Sequence, residues 1–162
     1  MSGKRKSKLL LRHHPIQLES IDVAELFIRV NNITDVDEAL GKKDVLISHA
    51  HGDYDEETQT VQVGLRIEIG MGDEPKTPFS MKIELSGEFR VDESRFDKDF
   101  VGDWANKNSQ FILYPYLREH AYALTVRCGL PPAILPLIEV PTFEIPAPSE
   151  GGAKAGDSAI DE

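Results

Sequence analysis

The stretch FILYPYLREHAYALTVRCG, Phe111–Gly129, decides how this chain folds. Leu113, Leu117, Ala121, Leu124 and Cys128 recur at helical spacing, and residues three and four apart share a helix face. Tyr114, Tyr116 and Tyr122 widen that stripe well beyond one face. Asn108 or Ser109 stands where a cap belongs, since a short polar side chain there satisfies a free backbone N–H. Pro115 falls in the first turns, where a missing N–H costs least. Gly129 after Arg127, followed by Pro131 and Pro132, reads as a helix end. This long helix is too apolar to stand alone, and its outer side also needs a partner.

Upstream lie two long runs of period-2 alternation. In the first, Val61, Val63, Leu65, Ile67, Ile69 and Met71 are apolar, separated by polar residues and glycines. In the second, Phe79, Met81, Ile83, Leu85, Phe89 and Val91 form the apolar series, broken only at Gly87. Such alternation is the mark of a strand with one buried and one wet face. The turn Gly70–Pro75 joins the two as an antiparallel hairpin. Each strand spans on the order of 40 Å at ~3.3 Å per residue. The helix spans only ~30 Å at ~1.5 Å per residue. One helix cannot cover such a sheet. Apolar surface left over on that scale marks an interface or a binding surface, so self-association is expected, with helices packed between the sheets of different subunits.

Two further strands precede the hairpin. Ile16–Asn32 carries Leu26, Ile28 and Val30 on one parity and Ile21 and Val23 on the other. A bulge near Ala24 would bring both sets to the same face. Val45–His51 is the second strand, and Gly52–Glu57 an acidic turn. Phe100 and Trp104, four apart, could sit on a short helix that tucks both onto the sheet. The expected fold is α+β: a four-stranded antiparallel sheet with one long helix on one face. Residues 1–15 read as a basic flexible tail, 16–145 as the domain, and 146–162 as a disordered tail. Between Leu130 and Pro148 stand six prolines, so that segment is expected to run extended along the protein surface rather than as a helix.

The formal charge of −10 hides an asymmetry. Residues 1–14 hold Lys4, Arg5, Lys6, Lys8 and Arg12 and no acid, leaving 13 basic against 28 acidic side chains elsewhere. An acidic body argues against nucleic acid as a partner. No run approaches the ~18 apolar residues of a membrane span, so no stable membrane insertion is expected. The single cysteine, Cys128, allows no intramolecular disulfide framework and fits a reducing, cytoplasmic setting.

The motif Tyr114-Pro115-Tyr116-Leu117-Arg118-Glu119, then Gly129-Leu130-Pro131-Pro132 and Leu135-Pro136, resembles the SecB family of export chaperones. Leu65-Arg66-Ile67, Phe79 and Gly87 sit as in that family's third and fourth strands, and the similarity covers roughly residues 16–145. The resemblance implies a homotetramer built as a dimer of dimers. It implies a chaperone that holds unfolded or nascent polypeptides in long apolar grooves, with neither ATP nor any cofactor, and hands them to the SecA motor. The aromatic and aliphatic surface near the helix is the candidate client-binding surface: Phe100, Trp104, Phe111, Tyr114, Tyr116, Leu130, Ile134, Leu135, Leu137 and Ile138. The subunit interface would fall at Leu113, Leu117, Ala121, Leu124 and Cys128. The motor-docking face would fall at Glu25, Arg29, Ser80 and Lys82. Arg29, Ser80 and Lys82 depart from the family's Glu, Leu and Glu, which should weaken docking of a basic partner. Phe143–Pro148, where the family has a second helix, is too proline-rich for one. Some SecB-like proteins instead serve toxin–antitoxin pairs by binding an antitoxin, and their helix motif is at least as close to this one.

One remote alternative is chemical. His49, His51 and Asp53 imitate the opening of a metal-dependent hydrolase motif, with two histidines on one strand face. The motif should continue with histidine, but Tyr54 stands there, and the plainer reading is surface histidines beside an acidic turn. Asp53, Asp55, Glu56 and Glu57 lack the glycine-centred loop of a calcium site. Arg118-Glu119 reads as an ion pair or hydrogen-bonding pair at the helix interface rather than a catalytic pair. With no phosphate loop or nucleophile motif in view, the chain is expected not to be an enzyme.

Overall fold

The computed structural model describes residues 12–31, 45–72 and 77–139. Strands β1 (Ile16–Val30), β2 (Val45–His51), β3 (Thr60–Ile69) and β4 (Phe79–Val91) form one sheet. Its order is β1-β4-β3-β2, antiparallel throughout, so β1 and β2 are the two edges. A short 3₁₀ turn at Lys98–Phe100 leads into helix α1 (Val101–Lys107), and helix α2 (Ser109–Arg127) follows at once.

The alternation in β3 and β4 has the expected effect. Val61, Val63, Leu65, Ile67 and Ile69 are buried on one face, as are Met81, Ile83, Leu85 and Phe89 on the neighbouring strand. Fully burying a side chain of this size contributes about 1.5–3 kcal/mol, so these two strands form the centre of the core. On the opposite face Arg66 pairs with Glu84 at 2.8 Å and Lys82 with Glu25 at 2.6 Å.

The first strand needs two bulges, not one. Register shifts occur between Leu18 and Ser20 and again between Val23 and Glu25. Ile16, Leu18, Ile21, Val23, Leu26, Ile28 and Val30 therefore all pair with odd-numbered positions of β4 and share its apolar face. Each bulge inserts one residue and reverses parity, and two reversals keep seven apolar residues together through a parity change and back.

At the end of β3, Gly70 has a φ of +58°, and a Cβ there would lie 1.9 Å from Thr77 Oγ1. Glycine is the residue that fits that conformation. Ser80 Oγ donates to the Gly70 carbonyl at 2.6 Å and locks the turn.

Helix α2 lies across β3 and β4 through Leu113, Leu117 and Ala121, all buried. Its end is closed as expected: Gly129 has φ +73°, its N–H donates to Val126, and the Leu130 N–H donates to Thr125. This pair of bonds satisfies carbonyls that the last turn leaves free. The start differs from expectation. Asn108 makes no side-chain cap, and Ser109 Oγ donates back to the Ala105 carbonyl instead. Helix α1 supplies the preceding turn, so Ser109 continues a bent helical path, and back-bonding of this kind bends helices.

Gly87 sets how closely α2 approaches the sheet. A Cβ there would meet Leu113 Cδ2 at 2.8 Å, with Leu18 and Phe89 carbons at 3.2 Å. Gly87→Val should therefore lower stability by about 1–3 kcal/mol through overpacking, measured by urea unfolding. Unchanged stability would mean that α2 has room to lift.

Candidate functional site

An apolar cleft opens where β1 begins and α2 starts. It measures about 560 Å³ and is lined by Ile16, Leu18, Trp104, Phe111, Ile112 and Tyr116, with His14, Gln17 and Asn108 as its polar members. Trp104 is largely buried and packs edge-on against Phe89 at 5.2 Å, while His14 stacks on it at 6.1 Å. The sheet positions these groups. Pairing of Ile16 with Val91 and Leu18 with Phe89 brings the start of the chain beneath α1. Beside the cleft, β1 pairs only with β4 among the described residues, which leave the backbone N–H and C=O groups of its outer edge unpaired.

Residues 131–139 run back along α2. They have no regular secondary structure, yet Ala133 and Leu135 are buried. Two side chains of α2 pin them. Thr125 Oγ1 accepts from the Ala133 N–H at 2.9 Å, and Tyr114 OH donates to the Pro136 carbonyl at 2.6 Å. Burial holds the Tyr114 phenol above the ordinary tyrosine range, against the pull of the nearby Arg118 charge. The neutral phenol is the bonded form. The contact is therefore fully present below the ordinary tyrosine pKa and is lost as pH rises through the raised one. Tyr114→Phe should cost about 1 kcal/mol and speed proteolysis beyond Leu135; an unchanged digestion rate would mean that Leu135 alone anchors the segment. Beyond the anchors, Ile134 and Leu137 project outward, Leu137 with 83% of its surface exposed.

No family model matches the chain. Over 65 residues it is 40% identical to an uncharacterized protein of Methanocaldococcus jannaschii; that match takes in 40% of this chain and spans 41% of the relative's length. Among solved structures, it superposes with a TM-score of 0.57 on the Mycobacterium tuberculosis SecB-like chaperone in complex with a ChAD peptide from the HigA1 antitoxin. The match covers 76% of this chain and 91% of that one at 19% identity. The fold is SecB-like. A protein of unknown function from Streptococcus agalactiae matches at a TM-score of 0.48 and 13% identity, over 75% of this chain and 97% of that one.

Within the SecB-like fold the expected client contacts divide in two. Tyr116, Ile134, Leu137 and Phe100 are exposed, and Phe111, Leu130 and Ile138 are half-buried. Trp104, Tyr114 and Leu135 belong to the core. Phe100 is not tucked onto the sheet with Trp104; it stands 61% exposed, because it ends the 3₁₀ turn one residue before α1 begins. Sequence reasoning did not include His14, Ile16, Leu18 and Ile112 in the site. Its signal for them was indirect: apolar residues on an edge strand, and one apolar helix position off the main stripe.

The expected interface stripe needs correction. Leu113, Leu117 and Ala121 face this chain's own sheet, because the helix buries its most regular apolar stripe there first. Leu124 is half-buried and Cys128 exposed. The outward side of α2 carries Ile112, Tyr116, Tyr122 and Val126 instead, all exposed. Uncovered sheet remains as well, at Val23, Leu26, Val30 and Ile47.

On the polar face, Glu25 is bound to Lys82, and Arg29 lies opposite Ser80. Ser80 is fully buried and is committed to the Gly70 turn and to Asn31, so it presents no side chain for docking.

The histidine cluster does not assemble. His49 Nε2 bonds Asn106 Oδ1 at 3.1 Å, and His51 Nδ1 lies 2.8 Å from the Gly52 carbonyl. No group of three or more His, Cys, Asp or Glu side chains is placed to hold a metal ion among the described residues. The acidic turn is occupied by its own backbone. Asp55 Oδ1 accepts from the Glu57 and Thr58 N–H groups, and those bonds hold its carboxyl below the usual range, Thr58 foremost. Arg118 and Glu119 do not form an ion pair; Glu119 lies 3.6 Å from His120 Nδ1. Among the described residues no helix is long and apolar enough to cross a membrane. The tail expected over residues 1–15 is anchored at its end: the His13 carbonyl accepts from Arg95, and the Pro15 carbonyl from the Asp92 N–H. The expectations for residues 140–162, Phe143–Pro148 included, lie outside the described residues.

Proposed function

We propose that this chain is an ATP-independent chaperone that holds unfolded polypeptides against the cleft between β1 and α2. The observation that carries the reading is an apolar, partly aromatic cleft beside a free strand edge. An extended client can bond the edge through its backbone while alternate side chains fill the cleft. Sequence-tolerant binding of this kind needs no catalytic group. The SecB-like fold supports it, as does the neighbouring structure, whose chaperone holds a peptide. The exposed outer side of α2 and the uncovered sheet support self-association, for which a dimer of dimers is the proposed arrangement. The test is suppression of aggregation of a chemically denatured protein, without nucleotide and at near-stoichiometric ratio. Failure with every client tried would remove the reading.

A second reading has its own support. The neighbour's peptide comes from an antitoxin, and a chain of this fold could be dedicated to one antitoxin rather than to many precursors. The polar face favours this over delivery to the SecA motor. Glu25 is neutralised by Lys82 at 2.6 Å, and Arg29 adds positive charge, which opposes a basic docking partner. A pull-down from the native cell separates the two: one dominant small partner indicates an antitoxin, whereas many secretory precursors indicate export. Measurable SecA binding would count against the dedicated role.

A further inference from the structure

The cleft lies beside the point where the first eleven residues join the described fold. His14 both lines it and stacks on Trp104, and the His13 carbonyl is held by Arg95 Nη2 at 2.9 Å. Just before these anchors stands Leu9-Leu10-Leu11, preceded by Lys4, Arg5, Lys6 and Lys8 and followed by Arg12. Leu11 is three residues from His14 and Leu9 five, so at ~3.3–3.6 Å per residue all three lie within ~18 Å of the rim. The neighbouring surface is acidic. Asp92 meets the anchor directly, its N–H donating to the Pro15 carbonyl, and the exposed acids Glu93, Asp97 and Asp99 follow it in sequence; Arg95 lies 4.0 Å from Asp92, Lys98 pairs with Glu56, and Glu93 accepts from Tyr54 OH.

From this juxtaposition we propose that Leu9–Leu11 of the chain's own N-terminal segment occupy the cleft, with the flanking lysines and arginines held by the acidic surface. The segment is then a tethered competitor that a client must displace. The inference rests on reading the cleft as a polypeptide site. A short tether gives an effective concentration in about the millimolar range, so even weak intrinsic affinity fills the cleft for much of the time. The apparent affinity of a client falls by the fraction of time the cleft is closed.

The test uses the full chain with Cys128→Ser and Ser7→Cys, the new thiol carrying a nitroxide spin label. The expected result is broadening of the amide signals of Leu18, Ile112 and Tyr116, with Leu46 at the far edge unaffected. The triple substitution Leu9→Asp, Leu10→Asp and Leu11→Asp should abolish the broadening and tighten binding of a reduced, carboxymethylated client by about threefold to tenfold. Broadening that is absent, or that survives the triple substitution, overturns the inference. So does a shift of Ile112 and Tyr116 signals that follows protein concentration and ignores the tail, which would assign the cleft to a second copy. If broadening is seen and lost as expected but no client binds either form, the tail contact stands and the chaperone reading falls. If client binds both forms equally without broadening, the chaperone reading stands and the tail contact falls.

Discussion

Leu117→Ala is expected to lower stability by about 2–5 kcal/mol, the usual range for emptying a fully buried leucine site. Leu117 is completely buried and belongs to the stripe by which α2 rests on the sheet. With a typical total stability of about 5–15 kcal/mol, such a loss is a large share of the whole. For a chain of this size it should appear as a fall in the thermal midpoint of about 5–15 °C. Tyr122→Ala, on the exposed side of the same helix, is the control and should move folding stability by less than about 0.5 kcal/mol. The opposite pattern, with Tyr122 critical to folding and Leu117 affecting only assembly, would invert the assignment of the two faces.

Ile112→Asp combined with Tyr116→Asp is expected to leave the fold in place and reduce client affinity by about tenfold to a hundredfold. Both side chains line the cleft and both are exposed, Tyr116 by 46%. Aromatic anchors at the centre of an interface commonly contribute 2 kcal/mol or more, and two carboxylates there would also oppose apolar client segments. Affinity is read by titration with a labelled unfolded protein, and mass in solution is measured on the same samples. Lost affinity at unchanged mass places the two residues in the client site. Lost mass at unchanged affinity places them between subunits, and the cleft would then need another boundary.

The architecture was largely legible because β3 and β4 alternate without interruption and because Gly129 and two prolines end α2. The reversal of parity in β1 announced a bulge, and Ala24 was the right place for it. The second bulge, beside Glu19, left no comparable signal, since Ile16 and Leu18 match the parity of Leu26 and a continuous strand would have served them. The inward and outward sides of α2 were less accessible. Leucines mark a buried stripe but do not say whether it is buried by the chain's own sheet or by another copy. Trp104 and Tyr114 illustrate the same limit in the site: an aromatic residue suits a binding surface and a core equally, and only the Phe89 contact and the Pro136 bond decide between them. The part played by Ile16 and Leu18 depends on pairing with residues more than seventy positions away, which local pattern does not reveal.

The strand order has a consequence for how the chain is made. Of the four described strands β1 leaves the ribosome first, yet its partner, β4, is made last. Ile16 cannot pair until Val91 has been synthesised, and pairings that close long loops are slow to form. For that interval the nascent chain trails a fifteen-residue strand with seven apolar side chains destined for one face and both edges open. On the proposed chaperone reading, a folded copy offers a surface suited to such a segment, which would make a nascent copy of this chain one of its clients.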